Sequence, residues 1–160
     1  MNKKILTGML IGLIMLQLLV PGYMIYRNYD TLRTGEAFMF DVRAYDPYDP
    51  FRGRYVALRT IERTYDTYAV LDRNADGFAV ISSESGNEKP ETGIYAKNLK
   101  LDRYYMNENM APIADRIPGN LNEGDRLYLL VMVKNGHYVI EGLYLNGVAI
   151  EEHINAELSK

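Results

Sequence analysis

The chain has no cysteine, no tryptophan and only two histidines among its 160 residues. Without a thiol there is no disulfide framework, no thiolate metal site and no cysteine nucleophile. His137 stands beside an Asn-Gly pair and His153 in a polar tail, places that suit solvated rings rather than a Ser-His-Asp triad. A serine–lysine pair drawn from Ser82, Ser83 or Ser85 with Lys89 or Lys97 would put its nucleophile in the most loop-like stretch, without rigid support. No catalytic residue, metal site or cofactor is therefore expected. Basic clusters are missing too. With Lys3 and Lys4 set aside, 16 basic residues face 21 acidic ones, a net charge of −5, and no segment has the cation density of a phosphate-binding face. That excludes nucleic acid as a partner. Neither repeats nor low-complexity segments interrupt the chain, and a hydrophobic share of 48% suffices for one core.

What the chain does have begins with a charge-free run. Residues 5–26 are 22 uncharged positions behind Lys3 and Lys4. At about 1.5 Å per residue such a helix crosses a hydrocarbon core of about 30 Å. Pro21-Gly22 is expected to kink or end the regular helix near the far interface. Tyr23 and Tyr26 fall where an aromatic belt belongs, and Arg27 closes the span. A cleaved leader would need a small-residue site, which Leu19-Val20-Pro21-Gly22-Tyr23 lacks, so the segment reads as an uncleaved signal anchor. The basic start favours an inside amino terminus with residues 28–160 outside the cytoplasm, although Arg27 and Arg33 pull the other way. The expected organisation is an anchor at 1–27, a polar linker at 28–35, a β-rich extracytoplasmic domain at 36–150 and a polar tail at 151–160.

Within the domain the periodicity is that of strands. Phe38, Phe40 and Val42 alternate with Met39, Asp41 and Arg43, the pattern of a half-buried strand. Further strands are expected at 54–62, 68–71, 78–81, 93–101, 126–134, 137–145 and 148–150. Asn135-Gly136 and Asn146-Gly147 are turn dipeptides of the hairpin type. Residues 107–117 are the best soluble helix candidate, stopped by Pro118-Gly119. Tyrosine, at 14 residues, suits half-buried sheet faces or, less simply, a stacking surface for a ligand. The fold class that follows is a small β-barrel or sandwich with one short helix, preceded by a transmembrane helix.

Residues 45–60, YDPYDPFRGRYVALRT, stand apart. Asp46-Pro47 and Asp49-Pro50 make a stiff extended lead-in, Gly53 offers a position for positive φ or close approach, and a strand follows. Asp46 and Asp49 are either clamped by Arg52 or Arg54, or turned outward to a ligand or partner. As a catalytic site they are incomplete, with no histidine nearby. Asp102-Arg103-Tyr104-Tyr105, with Glu108 beyond, is a second charged and aromatic group; Arg103 is suited to stacking on a tyrosine or pairing with an acid. The run from Asp72 to Gly77 matches the start of a calcium loop, D-x-N-x-D-G, but its twelfth position is Ser83 where a bidentate acid is needed, so a plain hairpin turn is the simpler reading.

These stretches also carry a resemblance. Gly53, Tyr55 and Leu58 stand at the motif positions of the GDYXXLXY proteins, a bacterial family of membrane-anchored chains. Arg54 replaces the motif's aspartate and Thr60 its second tyrosine, so no role of that aspartate is carried over. The Asp-Pro lead-in with Arg52-Gly53, the Asp102–Tyr105 group and the run from Glu141 to Gly147 match in the same order. The resemblance implies a single-pass protein of the bacterial cytoplasmic membrane with its domain at the outer face. It also implies a companion of an integral membrane protein or an envelope component, which makes the chain a binding or accessory module. The rivals are an envelope hydrolase using Asp46 or Asp49 with Arg52 or Tyr55, and a motif that only fixes a closing strand.

Overall fold

A computed structural model describes residues 3–44, 55–60, 67–107, 110–114, 117 and 121–158. The uncharged run forms helix α1, Lys3–Thr34. Its large apolar side chains from Ile5 to Tyr29 are exposed. Residues Thr7–Thr34 are apolar and long enough to cross a membrane. The helix does not end at Pro21. Proline already has a helical φ and removes one hydrogen bond, to the carbonyl four residues back, so a long apolar helix can continue through it.

Residues 28–34, expected as linker, are the last turns of the same helix, and they are fastened to the domain. Thr31 is 2% exposed. Lys134 donates to Asp30 Oδ2 at 2.7 Å and to Thr34 Oγ1 at 2.6 Å, while His137 Nε2 meets Asn28 Oδ1 at 2.8 Å. Gly35 ends the helix because a Cβ there would strike the Thr31 carbonyl oxygen and crowd the backbone of Val133. Asn28, Asp30 and Thr34 of the expected linker thus contact the domain, while Tyr29 and Arg33 stay exposed.

Among the described residues the domain has nine strands: β1 (Glu36–Ala44), β2 (Tyr55–Thr60), β3 (Tyr68–Arg73), β4 (Ala79–Ser85), β5 (Ile94–Lys97), β6 (Arg103–Tyr105), β7 (Leu127–Lys134), β8 (His137–Leu145) and β9 (Val148–Ala149). They form a six-stranded sheet, ordered β6-β2-β1-β7-β8-β9, and a three-stranded sheet, β4-β3-β5. All the pairings within the sheets are antiparallel. Among the described residues the arrangement is sandwich-like, without a closed barrel. Two isolated bridges, Met39 with Phe78 and Ala96 with Gly136, join the sheets at their seam. Ala69 and Ala96, both fully buried, keep side-chain bulk out of that seam. Arg73 of β3 ties it further, with Glu36 at 2.7 Å, the Ala37 carbonyl at 2.9 Å and the Phe38 ring 4.5 Å below its guanidinium.

The core follows the alternation in the strands. Phe38, Phe40 and Val42 of β1 point inward beside Leu127, Leu129, Val131 and Val133 of β7, all at 3% exposure or less. Each such burial contributes about 1.5–3 kcal/mol. The helix expected at 107–117 is described only as one turn, α2 (Ala111–Ala114). A more substantial soluble helix lies instead at the C terminus, α3 (Ile150–Leu158). Ile150 and Ile154 are one helical turn apart and at most 1% exposed, so one face of this polar segment enters the core.

Candidate functional site

Strand pairing brings together two stretches that lie far apart in the chain. The motif strand β2 sits between β1 and β6, with Val42 opposite Thr60, Arg43 opposite Arg59 and Ala44 opposite Leu58 on one side. On its other side Tyr55 faces Tyr105, Val56 faces Tyr104 and Ala57 faces Arg103. The motif strand and the Asp102–Tyr105 group are therefore neighbours at the β6 end of the six-stranded sheet. Asp46, Asp49, Arg52, Gly53 and Arg54 lie outside the described residues, as does Glu108. For Tyr55 and Leu58 the strand position is what the structure describes.

The two tyrosines of β6 serve opposite ends. Tyr105 is 68% exposed at the sheet edge. Tyr104 turns toward the core, where its hydroxyl donates to Glu151 Oε1 of α3 at 2.6 Å. Burial, followed by the bond to Glu151 and the charge of that carboxylate, pushes the Tyr104 phenol far above its usual value, so it stays a donor. The third stretch occupies β8 and its closing turn. There Tyr144 donates to Glu141 at 2.9 Å and is pushed up to about 12, by burial first and that bond second. Arg103 pairs with Asp102 at 3.5 Å, both side chains well exposed, a contact worth little by itself.

Other candidate chemistry resolves into structure. In the run from Asp72 to Gly77, Asn74 Oδ1 accepts from the backbone of Asp76 at 3.0 Å and of Phe78 at 2.9 Å, closing a hairpin turn. A neighbouring cleft of about 340 Å³ includes Asp41, Asp76 and Asp125 in its lining. Asp125 is occupied by the Asn146 amide at 2.7 Å and the Asn122 backbone at 2.8 Å, which hold its carboxyl below the usual range. Among the described residues no group of three or more histidine, aspartate or glutamate side chains is placed to hold a metal ion. His153 is hydrogen-bonded to the Leu145 carbonyl at 3.3 Å.

Sequence reasoning singled out Arg103 and Tyr104 but missed Glu151, which it left in a polar tail. The signal was there: Ile150 and Ile154 mark one face of a helix that carries Glu151 beside them.

The family model described as GDYXXLXY protein aligns with residues 17–143, from the middle of α1 into β8. It therefore takes in the motif strand and β6 but stops short of α3. No curated protein and no solved structure matches the chain.

Proposed function

The chain belongs to the GDYXXLXY family, and on that premise we propose that it is a membrane-anchored binding or accessory module whose partner meets the β6–β2 edge. The carrying observation is the pairing of β2 with β6, which puts two family-matching stretches side by side with Tyr105 open to solvent. Tyr105 is a large amphipathic side chain of the kind that anchors interfaces. In the sequence the Asp-Pro lead-in connects β1 to β2. Fastening of α1 to the Lys134–His137 corner supports an orienting role for the anchor, because a domain without a flexible linker presents its edge at a set angle to the bilayer. The partner is an integral membrane protein or envelope component, and the domain lies outside the cytoplasm of a bacterial cell.

The test is site-specific photocrosslinking from position 105 in native membranes, with the Asp46→Ala/Asp49→Ala/Arg52→Ala variant alongside. A membrane protein crosslinked in the parent and lost in the folded variant supports the edge as the contact. Crosslinks unchanged by the triple substitution would move the contact off the lead-in. None at all would leave the motif a structural device. Alkaline extraction and protease protection test the anchor and its orientation separately.

A further inference from the structure

A second cleft, of about 500 Å³, opens where α1 enters the domain. Three separate segments build it: Arg27 of α1, the Asn135–Tyr138 corner of the β7–β8 hairpin, and Tyr68, Lys89, Tyr95, Lys97 and Asn98 of the smaller sheet and its loops. Tyr68 and Tyr95 meet edge to face with centroids 5.7 Å apart. Lys97 lies 5.2 Å from the Tyr68 ring centre and Lys89 lies 5.6 Å from that of Tyr95. The Tyr95 ring is seated on Gly136, where a Cβ would come within 2.7 Å of it. Lys97 N–H donates to the Gly136 carbonyl at 2.9 Å, so both walls are held by backbone.

The electrostatics of this cleft are one-sided. Among the described residues its lining contains Arg27, Lys89, Lys97 and His137 and no carboxylate. Among the described residues Arg27, Lys89 and Lys97 form no ion pair, whereas Lys134 next to the cleft is paired with Asp30. In a chain of net charge −3, such a grouping calls for an anion. Its height is also defined. Arg27 is the first charge after the 22-residue uncharged run, so it marks the end of the hydrocarbon span. The headgroup layer beyond that point is about 5–8 Å deep on each side of the bilayer, and one wall of the cleft starts there.

We propose that this cleft holds the phosphate headgroup of an anionic membrane lipid, with Arg27, Lys89 and Lys97 as cationic contacts and Tyr68 and Tyr95 as its floor. The inference rests on α1 crossing a membrane. The shared chemistry is a phosphate oxyanion met by cations and an Asn135-Gly136 turn, and the lipid is chosen over a free anion because the Arg27 wall begins at the headgroup layer. Desolvation and then the Arg27 charge hold His137 below its ordinary value, the second being the sign expected beside an unpaired cation.

The experiment uses the full chain in a neutral detergent. Short-chain phosphatidylglycerol, short-chain phosphatidylcholine and inorganic phosphate are titrated separately, read by thermal shift and native mass spectrometry. Saturable stabilisation by phosphatidylglycerol is expected, with no matching response to phosphatidylcholine. Lys89→Gln/Lys97→Gln should weaken the phosphatidylglycerol response about tenfold or more, Lys89→Arg/Lys97→Arg should retain it, and Arg126→Gln outside this cleft should leave it unchanged. Equal response to the two lipids, or an unchanged response in the Gln variant, overturns the site. An equal response to inorganic phosphate at the same concentration overturns the lipid assignment. Because detergent binding does not need insertion, failure here is separate from failure of the membrane anchor, which alkaline extraction reads.

Discussion

Strand β8 is bounded by two Asn-Gly turns, Asn135-Gly136 before it and Asn146-Gly147 after it, in different surroundings. Their backbones agree: φ is 49° and 79° in the first, 52° and 86° in the second, the positive values of a two-residue hairpin. At the first turn the tertiary structure closes in. Gly136 bridges to Ala96 and carries the Tyr95 ring, and His137 is bonded to Asn28 of α1. At the second, a Cβ on Gly147 would meet nothing within 4 Å. That turn is held by its own asparagine, whose Oδ1 accepts from Arg126 N–H at 2.9 Å while its amide donates to Asp125 at 2.7 Å. One dipeptide code therefore makes the same turn twice, once as a joint between sheets and helix, once as a free corner.

The sharpest way to break this parallel is to put alanine at both glycines. Gly147→Ala meets only the left-handed backbone cost of roughly 1 kcal/mol. Gly136→Ala adds a clash with the Tyr95 ring at 2.7 Å, and the total is expected at roughly 2–4 kcal/mol. Thermal melting of the full chain in detergent, followed by circular dichroism, checks the ranking; equal losses would mean that the Tyr95 contact is easily surrendered.

A smaller effect is expected from Tyr104→Phe in β6, whose hydroxyl reaches α3 just beyond the free corner. It leaves Glu151 Oε1 without its 2.6 Å donor and should cost roughly 1–2 kcal/mol. Tyr105→Phe, at the exposed edge, should change stability by less than about 0.5 kcal/mol. Comparable losses at both positions would show that β6 is held by its edge and not through α3.

The smallest effects are pH responses that separate the two ends. His137 has a folded pKa below its ordinary 6.5, so the unfolded chain binds its proton more readily. Its contribution is present above about pH 6.5 and is lost as pH falls through the lower folded value. Asp125 is also depressed, from 3.8, so its contribution is present above that value and is lost as pH falls below it. Melting temperature measured against pH should thus fall in two windows, with His137→Gln flattening the upper and Asp125→Asn the lower. A profile in which His137→Gln changes the acid window instead would contradict the assignment.

Much of this fold was legible locally. The alternation of β1 predicted which of its side chains are buried, and the Asn-Gly pairs predicted both turns, because side-chain direction and positive φ depend on near neighbours. The end of α1 was misread because polar residues such as Asp30 and Asn28 look alike whether they face water or Lys134 and His137. The 107–117 segment was read as the best soluble helix, and composition did not show that tertiary packing would bury Ile150 and Ile154 at the start of the polar tail.

The sequence by itself determined an apolar helix long enough to span a bilayer, a strand-rich domain after it and membership of a family, since length, period and motif are properties of contiguous residues. Only the tertiary structure decided that β2 lies against β6, and that Arg27, Lys89, Lys97 and His137 share one cleft. In a chain with no basic run the cations Arg27, Lys89 and Lys97 are up to 70 positions apart. Charge density in space depends on how strands pair and sheets meet, and that is set by long-range burial and hydrogen bonding.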